Sequence, residues 1–215
     1  MYITWLGHSA FKFQDKLNAE GFTVTTDPFD SDETGLKMPS FDADIVTVSH
    51  DHKDHNYLKA LRKDPFLINT AGEFEYMGVY VEGIDSYHDD EKGAKRGRNV
   101  IFRFDFADIS IAHLGDLGHI LTDKQIERLE GVDVLLVPIG GVYTIDAKKA
   151  VEVINQLEPR VVIPMHYQVD GLKYELDGLE KFIKEFGVAP EYEEKLKISK
   201  KDLPTDATRL IILKI

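Results

Sequence analysis

Val48-Ser49-His50-Asp51-His52-Lys53-Asp54-His55 sets three histidines and the carboxylate of Asp54 within six residues. Imidazole nitrogen and carboxylate oxygen are the ligands that zinc and similar divalent ions accept. Ile45 to Val48, a continuous apolar and β-branched run, leads straight into the cluster and reads as a strand buried on both faces. The histidines therefore fall where that strand ends and the backbone turns. There alternate residues point to one side, so His50 and His52 can share one ion while Asp54 and His55, past the bend, reach a second. No helix explains the spacing, because residues i and i+2 do not share a helical face. A solvated loop explains it no better, because three crowded imidazoles, each partly charged near neutral pH, repel one another.

Strand signals precede the cluster at Tyr2 to Leu6, Ala10 to Phe13 and Phe22 to Thr26, with a polar break from Asp15 to Gly21 and a stop at Pro28. A short helix is expected over Asn56 to Arg62. Further strands are expected at Phe66 to Asn69, Val79 to Glu82, Val100 to Phe104 and Ile109 to His113, the last two joined by a hairpin. Thr122-Asp123-Lys124-Gln125 matches a capping box and starts a helix running to about Glu130. Strands at Asp133 to Val137, Arg160 to Pro164 and Leu210 to Ile215 then alternate with helices at Asp146 to Leu157 and Leu176 to Phe186. In the first helix Ala147, Ala150, Val151, Ile154 and Leu157 keep helical spacing; Gly187 closes the second. No linker divides the chain, so residues 1–215 are expected to form one domain of sheet layers with helices outside.

Composition narrows the function classes. The 215 residues carry a formal net charge of -12, which disfavours polyanionic partners, since nucleic-acid affinity is built on Lys and Arg contacts to phosphate. The one dense basic group, Lys92, Lys95, Arg96 and Arg98, reads as a solvated loop. Cysteine is absent, which excludes disulfides, thiolate metal sites and a cysteine nucleophile. Met1 to Trp5 does not have the pattern of a signal peptide, and no apolar run reaches the roughly 18 residues of a membrane helix. A cytoplasmic protein without a membrane span is expected; oligomeric state is not legible.

His50-x-His52-x-Asp54-His55 resembles the signature of the metallo-β-lactamase superfamily, and the remaining motifs follow in that family's order. Thr26-Asp27-Pro28-Phe29 looks like its upstream strand-end aspartate, Gly115-Asp116 like the aspartate shared by two metals, and Pro164-Met165-His166-Tyr167 like its late histidine. Trp5-Leu6-Gly7-His8-Ser9 is similar to the opening of the branch that includes ascorbate-6-phosphate lactonases and N-acyl-phosphatidylethanolamine phospholipases D. The resemblance implies an α+β fold, a four-layer αβ/βα sandwich of two mixed sheets with helices on the outer faces. It implies two divalent ions, zinc first, with manganese, iron or cobalt as substitutes. One would be held by His50, His52 and a third histidine, the other by Asp54, His55 and His166, with Asp116 between them. The third histidine is His88, which ends a strand run from Gly83, or His113; period-2 alternation turns His113 away from Asp116. Asp27 is expected to orient a ligand histidine; His8 and His119 either orient ligands or line the mouth.

The expected chemistry is hydrolysis of an ester, lactone, amide or phosphodiester in a small molecule by a metal-bridging hydroxide, with Asp54 and Asp116 catalytic. Two alternatives use the same residues: an RNA-processing nuclease and a non-catalytic metal-binding protein. The glycines at 7, 115, 118, 140 and 141 lack a P-loop or dinucleotide pattern and read as tight turns near the metal floor. Tyr143, Tyr167 and Arg98 are further candidates for substrate contact.

Overall fold

Alternation of apolar side chains across short strands builds two sheets around a common core. The computed structural model describes residues 1–15 and 21–215; the polar break expected at 15–21 lies almost wholly outside the described residues. In chain order the elements are β1 (Tyr2–Gly7), β2 (Ala10–Asp15), β3 (Phe22–Thr26), α1 (Ser31–Thr34), β4 (Ile45–Thr47) and β5 (Phe66–Ile68). Then come β6 (Gly72–Tyr76), β7 (Val79–Tyr87), β8 (Arg98–Asp105), β9 (Ser110–His113), α2 (Asp123–Leu129) and β10 (Val134–Pro138). The chain closes with α3 (Ala147–Leu157), β11 (Val161–Met165), α4 (Leu179–Phe186), β12 (Pro190–Glu193), β13 (Leu196–Lys197) and β14 (Arg209–Leu213).

One sheet has the order β13-β1-β2-β3-β4-β5 and the other β12-β14-β11-β10-β9-β8-β7-β6. Both are mixed: β3, β4 and β5 run parallel beside an antiparallel meander, and β9 to β12 and β14 form a parallel half beside an antiparallel one. The inner faces meet in a single core. Phe13 of β2 packs edge-on against Phe104 of β8, with ring centroids 5.4 Å apart. Alternation at β4 splits its residues, Ile45 entering this core and Val46 a smaller cluster with Phe41, Val48 and Ala60. Helix α3 buries Ala147, Ala150, Val153, Ile154 and Leu157; Val153 takes the place expected of Val151, which stays half-buried. No helix among the described residues is long and apolar enough to cross a membrane.

Several expectations need correction. Residues 56–62 form one 3-10 turn, Leu58–Ala60, rather than a helix. Their backbone is spent elsewhere: Tyr57 N–H donates to Pro28 O at 2.7 Å and Arg62 N–H to Phe41 O at 3.0 Å. Helix α4 begins at Leu179 rather than Leu176, because Leu176 N–H donates to Gln168 Oε1 and Asp177 N–H to Gly140 O. Strands β6, β12 and β13 and helix α1 were not anticipated. β6 (GEFEY) and β12 (PEYE) are mostly exposed outer strands, with charges and a leading proline that mask any apolar alternation.

Candidate metal centre

Every expected ligand, and with them the expected orienting residues His8 and Asp27, stands just beyond the carboxyl end of a strand. His8 follows β1, Asp27 follows β3, the His50–His55 run follows β4, His88 follows β7, Asp116 lies past β9 and His166 follows β11. These strands run in the same sense within their sheets, so their ends gather at one rim of the sandwich. His8, Asp27 and His166 have positive φ angles of 51°, 40° and 51°. Non-glycine residues take that conformation at a cost of about 1–3 kcal/mol each, and it turns their side chains sharply off the strand axis.

Four imidazoles close on one carboxylate oxygen. Asp116 Oδ2 lies 3.1 Å from His166 Nε2, 3.2 Å from His88 Nε2, 3.3 Å from His55 Nε2 and 3.9 Å from His50 Nε2. On one side the rings of His50 and His52 are 4.5 Å apart and those of His50 and His88 4.8 Å. On the other side His8 Nε2–H donates to Asp54 Oδ2 at 3.2 Å, and its ring lies 4.1 Å from that of His166. Donor atoms of His50, His52 and His88 fall within 4.8 Å of one another, as do those of His8, Asp54, His55 and His166, and those of His50, His55 and Asp116.

A further set of groups fixes these side chains. Asp27 accepts from Ser49 N–H at 2.8 Å and from Ser49 Oγ at 2.6 Å, and its Oδ2 meets His55 Nδ1 at 2.9 Å. Ser49 Oγ in turn lies 2.9 Å from His50 Nδ1. One buried carboxylate thus orients two imidazoles, leaving Nε2 of each toward Asp116. Asn99 Oδ1 accepts the Asp116 N–H at 2.9 Å while its Nδ2 donates to Ser86 Oγ and Leu114 O. Trp5 Nε1 donates to His8 O at 2.9 Å. Ser49 and Asn99 carry no signal in the sequence; they are ordinary polar residues until the register of their strands is known.

Two expected histidines stand apart from the cluster. His113 Nδ1 accepts from Gly115 N–H, so its Nε2–H donates to Ser9 O at 2.8 Å; both nitrogens are engaged. His119 Nε2 accepts from Tyr87 N–H and its Nδ1–H donates to Ile120 O, which makes it a clasp between loops. Tyr167 is buried and stacked on Trp5 at 5.2 Å, and Arg98 pairs with Asp85 at 2.9 Å, so neither meets the expectation of a substrate contact.

Burial and crowding set the charges. Desolvation and the nearby His55 hold His50 well below the ordinary histidine range, and desolvation with His166 holds His8 down to about 4. Burial opposes charge on Asp116, yet His166 and His55 outweigh it and keep its carboxyl well below the usual range. Burial likewise opposes charge on Asp54, and His55 and His8 overcome it. Neutral His8, His50 and His52 thus stand beside ionised Asp54 and Asp116 at neutral pH, whereas Asp116 and Asp54, despite burial, raise the affinity of His55 for a proton. Buried His50 Nε2 and Asp116 Oδ1 have no hydrogen-bond partner among the described residues. Buried polar atoms without partners are costly, and a cation among them removes that cost.

The cluster floors a cavity of 490 Å³ whose walls include Glu33, Asp54, Arg96, Tyr143 and Tyr174. Such a volume suits a small molecule.

Comparison with known proteins points the same way. Residues 2–166 match the family model described as beta-lactamase superfamily domain. A UPF0173 metal-dependent hydrolase of Thermoplasma acidophilum is 29% identical over 79% of this chain and 84% of its own length. Another from Nitratidesulfovibrio vulgaris is 32% identical over 77% and 79%. A crystal structure from Thermotoga maritima, described as a candidate Zn-dependent hydrolase of the metallo-beta-lactamase superfamily, is 36% identical, covers 99% of this chain and 98% of its own, and superposes with a TM-score of 0.79.

Proposed function

The chain belongs to the metallo-β-lactamase superfamily and is a metal-dependent hydrolase, and on that footing we propose that it holds two divalent ions and cleaves an ester, lactone or phosphodiester bond in a small molecule. The observation that carries this reading is the gathering of His50, His55, His88 and His166 within 3.9 Å of Asp116 Oδ2. His50, His52 and His88 would hold one ion. Asp54, His55 and His166 would hold the other, with His8 beside them, and Asp116 would serve both. Neutral imidazoles and ionised carboxylates are the forms that bind metal, and the imidazole-rich set suits zinc ahead of manganese, iron or cobalt.

When bound, such ions supply Lewis acidity and lower the pKa of water to about 7. The chain's own residues do the rest. Asp27 and Ser49 keep His55 and His50 in one ring orientation, work of the kind that supports metal affinity. Asp54 and Asp116, ionised at neutral pH, accept hydrogen bonds and orient water at the cavity floor. Tyr174 stays protonated, because burial, Asp54 and Glu33 raise its pKa, and its hydroxyl donates to Glu33 at 3.2 Å.

A panel of chromogenic esters, lactones and phosphodiesters, assayed with added zinc and after chelation, tests the reading. Metal-dependent turnover of at least one class, abolished in His52→Ala, is expected. Fully metal-loaded protein that turns over none, or a fully active His52→Ala, contradicts it.

A further inference from the structure

The basic group at residues 92–98 does not behave as one solvated loop. Lys95 pairs with Glu91 at 2.5 Å and Arg98 with Asp85 at 2.9 Å. Arg96 instead is half-buried and lines the cavity above His52, His88, Asp116 and His166.

Its placement is built rather than incidental. Asp89, buried in the turn after β7, accepts four backbone N–H groups: Glu91 and Gly93 on Oδ1 at 2.9 and 2.8 Å, Lys95 and Arg96 on Oδ2 at 2.9 and 2.7 Å. The Arg96 backbone is thereby tied to the turn that follows His88. The guanidinium lies 5.6 Å from the Tyr143 ring centroid and donates to Val142 O at 3.2 Å. Both partners are neutral.

That neutrality sets Arg96 apart. Arg62, Arg98, Arg103, Arg128 and Arg209 each pair with a carboxylate. Arg160 donates to backbone carbonyls of Pro204 and Thr205, away from the cavity. The acidic groups of the cavity wall are already engaged: Glu33 with Tyr174 and Lys53, Asp51 with Asn56. In a chain of net charge -12, one oriented guanidinium at the cavity wall lacks a counter-charge among the described residues. Five N–H donors, most of them unspent, suit the planar oxygens of a carboxylate or a phosphate.

We propose that Arg96 is a specificity-determining residue that selects substrates bearing a carboxylate or phosphate group, with Tyr143 and Tyr174 flanking the uncharged part. This rests on the hydrolase reading above and deepens it by naming the substrate class. Arg96 binds the anionic end while the scissile bond lies over the histidine cluster.

The test compares 4-nitrophenyl acetate with mono-4-nitrophenyl glutarate on metal-loaded wild type, Arg96→Gln and Arg96→Lys. Arg96→Gln should lower kcat/KM for the charged ester about tenfold or more and leave the neutral ester within about twofold, the scale of one lost charge-assisted hydrogen bond. Arg96→Lys should restore part of the loss. An equal fall on both esters, or no fall on the charged one, overturns the proposal. If wild type turns over neither ester, the hydrolase reading fails on these bonds, and calorimetric binding of glutarate and methylphosphonate to metal-loaded protein decides the anion assignment. Weakening of either by about fivefold or more in Arg96→Gln supports it and tells which oxyanion is preferred; unchanged affinity for both overturns it.

Discussion

Asp27 shows how much one side chain can arrange. Its carboxylate touches Ser49 twice and His55 once, and through Ser49 it reaches His50. Asp27→Asn keeps the size and can still accept the Ser49 N–H, but it places an amide against His55 Nδ1. Metal affinity measured by chelator competition should fall about 10- to 100-fold, with the far-ultraviolet spectrum unchanged; unaltered affinity would show that the ring orientation does not depend on Asp27. A second comparison separates two histidines. His88→Ala should lower bound metal, whereas His113→Ala should keep metal and lose about 1–3 kcal/mol of stability, because it leaves the buried Gly115 amide without its partner and strips the Ser9 carbonyl of one of its two donors. The reverse ranking of metal content would move the ligand role to His113. Residues whose chemistry is unusual at their spacing, such as the His50–His55 run, were legible in the sequence. Ser49, Asn99 and Asp89 were not, because a serine, an asparagine or an aspartate gains its role only from what folding sets beside it.

At the scale of elements, the loops that carry side chains to the centre are held by close backbone contacts. A Cβ on Gly118 would lie 2.3 Å from Asp89 N and 2.4 Å from His88 C, and one on Gly140 would lie 2.2 Å from His166 O. Of the glycines expected as tight turns near the metal floor, Gly118 and Gly140 are thus points where one loop presses on another, while Gly7, Gly115 and Gly141 take the positive φ of a turn. Gly118→Ala should cost about 1–3 kcal/mol in chemical denaturation and reduce bound metal by displacing His88; a variant of full stability and full metal content would refute the contact. The turn at 89–97 has its own pH signature. Burial opposes charge on Asp89, but four backbone N–H groups hold its pKa at about 2, below the ordinary 3.8. A depressed carboxylate stabilises the folded turn above the ordinary value and loses that contribution as pH falls from 3.8 toward 2. Titration of the Asp89 carboxyl by NMR should therefore give a midpoint near 2; a midpoint near 3.8 would mean the four bonds do not persist in solution. Core strands and helices α2 and α3 were readable from apolar runs and caps. The expected helix at 56–62 failed because its amides are drawn to Pro28 and Phe41, which lie far away in sequence.

For the whole molecule, the centre joins the two sheets. His8, Asp27 and the His50–His55 run extend from the six-stranded sheet, and His88, Asp116 and His166 from the eight-stranded one. Ions held between them would act as cross-links absent from the unfolded chain, so chelation should lower the thermal midpoint and reloading restore it, the metal adding about 3–4 kcal/mol of stability at 100 to 1,000 times Kd. The layered architecture could be read from the sequence because buried strands announce themselves as apolar runs. Outer strands β6, β12 and β13 could not, since their pairing depends on neighbours rather than on composition. The most direct measurement is elemental analysis of the purified, zinc-equilibrated protein, alongside His166→Ala. The account predicts about two divalent ions per chain, falling to about one in the variant; a chain that retains no metal, or a variant that retains as much as wild type, would contradict it.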